Sequence, residues 1–211
     1  MMAAERILLE LQSIAKDFQW LAIIQHILLL IIVILLWKFK ERVGRIVSLY
    51  IALSFALVSF LAISHSGNPF TGIVFAMLAL LGLWEVFSPK MDYSLKKTLR
   101  IQIIIATVAG FLGFWYPHFV ANKFLALIIS PYGLIPCPTL TVSLSILLLV
   151  YPYTNRTWHW CLAVVGLFYG VIGLAVLKVN LDLALLFVSI YSLYALIVLA
   201  WKKRSLGKPA I

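Results

Sequence analysis

Apolar residues run along this chain in blocks rather than alternating with polar ones. Seven blocks can be drawn: Trp20 to Trp37, Ile46 to Ser64, Phe70 to Phe87, Ile101 to Tyr116, Pro138 to Tyr151, Trp160 to Leu177 and Leu181 to Trp201. Runs of about 20 apolar residues, coiled as helix, match the roughly 30 Å hydrocarbon core of a bilayer and satisfy their own backbone groups without water. The pattern predicts an all-α, polytopic transmembrane bundle of about seven segments, forming one domain over residues 20–201 with a basic tail at 202–211. In residues 1–19, Ile7, Leu8, Leu11, Ile14, Ala15 and Phe18 recur at helical spacing opposite Glu5, Arg6, Gln12, Lys16 and Asp17. That spacing predicts an amphipathic helix on the outer surface.

The fifth block is the exception. Pro138 to Tyr151 is 14 residues, about 21 Å of helix, too short to cross alone. The chain before it is irregular: His118 to Ser130 is apolar on balance but holds Asn122 and Lys123, and Pro131 and Gly133 then interrupt it. A re-entrant or interfacial segment is expected there, with Gly133 supplying a backbone angle that other residues resist. The short helix is expected to begin near Cys137 with Pro138 at its first position, where a missing N–H costs nothing. Thr139, Thr141, Ser143 and Ser145 alternate as in a strand. A lone strand cannot satisfy its backbone in lipid, so helix is expected, with hydroxyls bonding back to carbonyls one turn earlier. Proline-interrupted membrane segments leave helix ends that need polar partners, which makes this break the expected place for a site.

Composition supports the membrane reading, since 64% hydrophobic and 11% charged residues exclude a soluble domain. The net charge of +10 does not imply nucleic acid, because its distribution follows the segments. With the amino terminus outside, Lys38, Lys40, Arg42, Arg45, Lys90, Lys96, Lys97, Arg100, Arg156, Lys202, Lys203, Arg204 and Lys208 share one side. These 13 cations face four, Arg6, Lys16, Lys123 and Lys178, on the other. The imbalance places the amino terminus outside and the carboxyl terminus in the cytoplasm, with anionic lipid as the partner of the cytoplasmic face. All seven tryptophans fall at block ends, as rings anchored at head-group depth would. Gly166, Gly170 and Gly173 form a close-packing helix face, with an oligomer contact as its alternative use. Cys137 and Cys161 lie toward opposite sides, so no intrachain disulfide is expected.

Several polar groups share the outer half of the membrane in this topology: Gln25, His26, His65, Asn68, Cys137, Thr139 and Asp182. Cys137, at a helix amino terminus, is the sharpest candidate, as a nucleophile or soft-metal ligand; the alternative is a buried inert thiol beside two prolines. His65, in the turn SHSGNP, suits a metal ligand or base, or an ordinary hydrogen-bonded loop histidine. His26 is expected to be a core histidine bonded to Gln25 or a carbonyl. Asp182 is expected to cap the last helix, and Glu85 to pair with Lys90 near the cytoplasmic face. Neither a lysine for retinal in the last helix nor an H-E-x-x-H, G-x-S-x-G or phosphate-binding glycine motif is present.

The stretch GLIPCPT, with Gly133, Pro136, Cys137, Pro138 and Thr139, resembles the G-x-P-C-P-T motif of a family of small bacterial multi-pass membrane proteins known as a domain of unknown function. Gln25, His65, Asn68-Pro69, Tyr116-Pro117 and Asp182 are weaker matches spread over most of the chain. The chain departs from the pattern in lacking a second threonine after Thr139 and a Gly-His pair between Tyr116 and the cysteine, although His118 lies nearby. The resemblance implies a bacterial inner-membrane location and weight on Cys137, and names no reaction or cofactor. Three functions compete: binding or transport of a small solute or ion through an outward-facing pocket near Cys137; a thiol or metal-dependent membrane enzyme using Cys137 with His65 and Asp182; and a structural subunit.

Overall fold

The computed structural model describes residues 3–39, 43–87, 99–120, 122–151 and 155–206, with side chains through Val198 in the last helix. Among these residues the chain is helical throughout and contains no strand. An amphipathic helix, α1 (Ala3–Asp17), leads at Phe18 into α2 (Gln19–Phe39), which is followed by α3 (Gly44–Ser64), α4 (Pro69–Val86) and α5 (Arg100–Phe114). After a 3-10 turn at Pro117–Phe119 come a single-turn α6 (Ala126–Ile129), α7 (Pro136–Val150), α8 (Arg156–Ala175) and α9 (Asp182–Leu206). Each of the seven apolar blocks therefore coincides with one helix. Five stretches, α2, α3, α4, α5 with its extension to Phe119, and α8, are long and apolar enough to cross a bilayer; α7 and the apolar part of α9 are shorter.

Local chemistry sets the helix ends. Asn68 caps α4 by accepting the N–H of Thr71 at 3.1 Å, with Pro69 in the first turn. Asn155 caps α8 in the same way through Thr157, at 2.9 Å. The α7 helix starts at Pro136, two residues before the expected first position, and still holds Pro138 in its opening turn. Both prolines fit because the first-turn N–H groups have no partner inside the helix anyway. Thr141 donates to the Cys137 carbonyl at 2.8 Å and Ser145 to that of Thr141 at 2.7 Å, the expected one-turn back-bonding.

α7 is the centre of the bundle. All of its residues except Pro136 and Leu149 are buried, and it packs on α3, α5, α8 and α9. At 15 residues it covers about 22 Å, less than the hydrocarbon thickness. The gap is filled by chain: residues 130–135 are all buried across its amino-terminal end. No continuous helix joins α6 to α7.

One expectation is corrected. Trp20, Trp37 and Trp84 are exposed at helix ends, but Trp158 is 1% exposed, with its ring against Gly82 of α4. The ring fills interior space next to a glycine and does not anchor at head-group depth. Glu85 is likewise buried, and its Oε1 accepts the Asn155 N–H at 3.2 Å; its expected partner Lys90 lies outside the described residues.

Candidate functional site: a cavity at the head of the central helix

The loop entering α7 is fixed by its own short-range bonds. The Thr139 hydroxyl donates to the Ile135 carbonyl at 2.6 Å and accepts the Gly133 N–H at 3.0 Å, tying the loop to the helix it starts. Gly133 has φ +77°, the left-handed region expected of it, and a side chain there would run into Gln25. Gln25 is itself held: its Oε1 accepts the Ser54 hydroxyl at 3.3 Å, and its carbonyl accepts Tyr50, whose hydroxyl also meets that of Tyr132 at 2.8 Å. His26 reaches the carbonyls of Ala22 at 2.8 Å and Phe114 at 3.3 Å and the Ser130 hydroxyl at 3.3 Å. Gln25, His26 and Thr139 therefore build the bend and do not line the cavity beside it, and His26 is the core histidine at backbone carbonyls that its position implied.

Beside this bend lies a cavity of about 200 Å³, bounded by α1, the α3–α4 turn, the loop into α7 and the facing ends of α8 and α9. Cys137, Asp182 and Asn68 reach it from the sequence-predicted set. Its walls are mainly aliphatic and aromatic, and its polar groups gather around Cys137. Tyr116 donates to Asp182 Oδ1 at 2.5 Å, and Tyr169 donates to Thr71 Oγ1 at 2.9 Å. The Cys137 thiol lies within electrostatic range of Asp182, Tyr116 and Tyr169.

Asp182 departs from the expected cap. Its carboxyl turns into the bundle toward Tyr116, is 1% exposed, and leaves Oδ2 without a hydrogen-bond partner among the described residues. Room for that oxygen comes from Gly173, where any β-carbon would collide with it. The glycine face of α8 is thus used inside the chain: Gly166 and Gly170 face α9 residues Ser189 and Leu186, and Gly173 faces Asp182.

His65 lies elsewhere. It is exposed, its Nε2 is 3.0 Å from the Ser13 hydroxyl and 3.6 Å from Asp17 Oδ2, and its ring meets Phe18 edge-on. It fastens α1 to the α3–α4 turn and does not join Cys137. Among the described residues no three His, Cys, Asp or Glu side chains come together as a metal site. The two cysteines are unpaired with each other, as expected.

Tyr169 and Thr71 were not among the residues singled out from sequence. The one available signal was a tyrosine on the glycine-rich α8 segment, where a phenol must find a partner inside protein. Comparison with protein-family models, with curated proteins and with solved structures gives no match.

Proposed function

We propose that this is a seven-pass protein of a bacterial inner membrane, amino terminus outside, which binds or transports a small solute in an outward-facing cavity headed by Cys137, Asp182, Tyr116, Tyr169 and Thr71. The observation that carries the reading is the cavity itself, with the buried Asp182 carboxyl, the Cys137 thiol and the Tyr116 and Tyr169 phenols gathered on residues at its head. Ligand pockets characteristically combine apolar walls with a few convergent polar groups, as here. The orientation rests on the sequence count of 13 cations on one side of the segments against four on the other, and anionic lipid is the partner proposed for the basic face. A thiol-dependent membrane enzyme is the second reading, favoured by the carboxyl beside Cys137, a suitable acceptor for the thiol proton.

Benzyl methanethiosulfonate on purified protein tests the cavity. Cys137 is expected to react in the wild type and at least about tenfold more slowly in Ala62→Trp, which fills the cavity from α3. Cys161, which does not line the cavity, serves as the reference. An unreactive Cys137, or equal rates in the two proteins, contradicts the reading.

A further inference from the structure

We infer that the ligand of this cavity is an organic cation: an amine, free of phosphate and carboxylate, carried on a compact apolar body. The inference rests on the cavity being a binding site and concerns which molecules it selects. Two carboxylates, Asp182 and Glu10, line it, and among the described residues no Lys, Arg or His does. Glu10 is joined to Arg6 at 3.0 Å, on the exposed side of α1. Among the described residues Asp182 has no such neighbour: the side chains acting on it are the Tyr116 hydroxyl and the Cys137 thiol.

Hydrogen-bond accounting gives the same sign. Tyr116 has used its proton on Asp182 Oδ1, and Tyr169 has used its own on Thr71. Both phenol oxygens are left as acceptors on residues at the cavity head, with the Asp182 carboxyl beside them and its Oδ2 turned toward Gly173. The donors remaining there, on Thr71, Asn68 and Ser66, are uncharged. A carboxylate or phosphate would bring a second negative charge to Asp182 with no cation to meet it. An ammonium meets a carboxylate, and Phe70, Phe119 and Phe168 surround the space its body would fill. The absence of a lining cation also sets a free amine apart from an aminolipid, whose phosphate would go unpaired.

Equilibrium dialysis of labelled hexylamine, hexanol and hexanoate between protein-containing and empty lipid nanodiscs tests this. In the wild type, hexylamine is expected to bind about tenfold more tightly than hexanol, the size of one charge-assisted hydrogen bond, with hexanoate weakest. Asp182→Asn, which keeps an acceptor for Tyr116, is expected to erase the amine preference. An amine no tighter than the alcohol in the wild type, or a preference that survives Asp182→Asn, overturns the inference while leaving the cavity intact. If none of the three binds above the empty discs, the cavity reading falls with it. The wild-type ranking decides the matter even where the variant does not insert.

Discussion

Replacing Gly133 by alanine probes the bend that carries the cavity. The backbone there has φ +77°, a region that costs an L-residue about 1–2 kcal/mol. The new β-carbon would lie 2.6, 2.8 and 3.1 Å from Cγ, Cδ and Cβ of Gln25. Gln25 cannot simply swing away, because Ser54 holds its side chain and Tyr50 its carbonyl. Overpacking of this kind adds about 1–3 kcal/mol, so the total loss is about 2–5 kcal/mol. Two other glycines separate the contributions. Gly67 has φ +59° and nothing within 4 Å of its β-position, so Gly67→Ala carries the backbone cost alone. Gly82 has an ordinary helical backbone but would meet Ala52 and Trp158 at 3.0 Å, so Gly82→Ala carries crowding alone. Thermal unfolding in detergent should therefore place Gly133→Ala below both. At about 2–4 °C per kcal/mol for a chain of this size, the separation is several degrees. Equal melting of Gly133→Ala and Gly67→Ala would remove the Gln25 contact, and equal melting of all three would remove the bend itself.

Other consequences follow from the same geometry. Tyr116→Phe leaves both Asp182 oxygens without a hydroxyl partner and should cost about 1–3 kcal/mol, measured by thermal unfolding. Little or no loss would mean the pair is not formed. His65→Ala removes the fastening of α1 at an exposed position, so it should change global stability by under about 1 kcal/mol. It should nevertheless speed amide exchange within α1, and unchanged exchange there would show that α1 is held by its apolar face alone. Cysteines introduced at Ser66 and Asn122 should be labelled from outside sealed cells and those at Ser94 and Ser205 should not; external labelling of Ser94→Cys would reverse the orientation.

What the sequence disclosed and what it hid divide along one physical line. Depth along the bundle is written in the chain, because a helix rises a fixed distance per residue and apolar length sets where it starts and stops. That is why seven blocks became seven helices, the α7 break was visible at Pro131 and Gly133, and Cys137 and Asp182 could be placed at one level. Lateral neighbours are set by packing in three dimensions and leave little local trace. His65 shares that end of the bundle but points to Ser13 and Asp17, while Thr71 and Tyr169 meet across 98 residues of sequence. Trp158 shows the same limit: a tryptophan near a helix end looks interfacial until Gly82 is seen to make space for it. Gly82 is unremarkable in sequence for the same reason.

The most direct measurement is the reaction of Cys137 with methanethiosulfonate ethylammonium, a membrane-impermeant cation, applied outside sealed cells. An outward-opening cavity with acidic lining predicts modification of Cys137 from outside, while Cys161, toward the other end of the bundle, stays unmodified until the cells are permeabilised. Modification of Cys137 only after permeabilisation, or not at all in folded protein, would contradict the account.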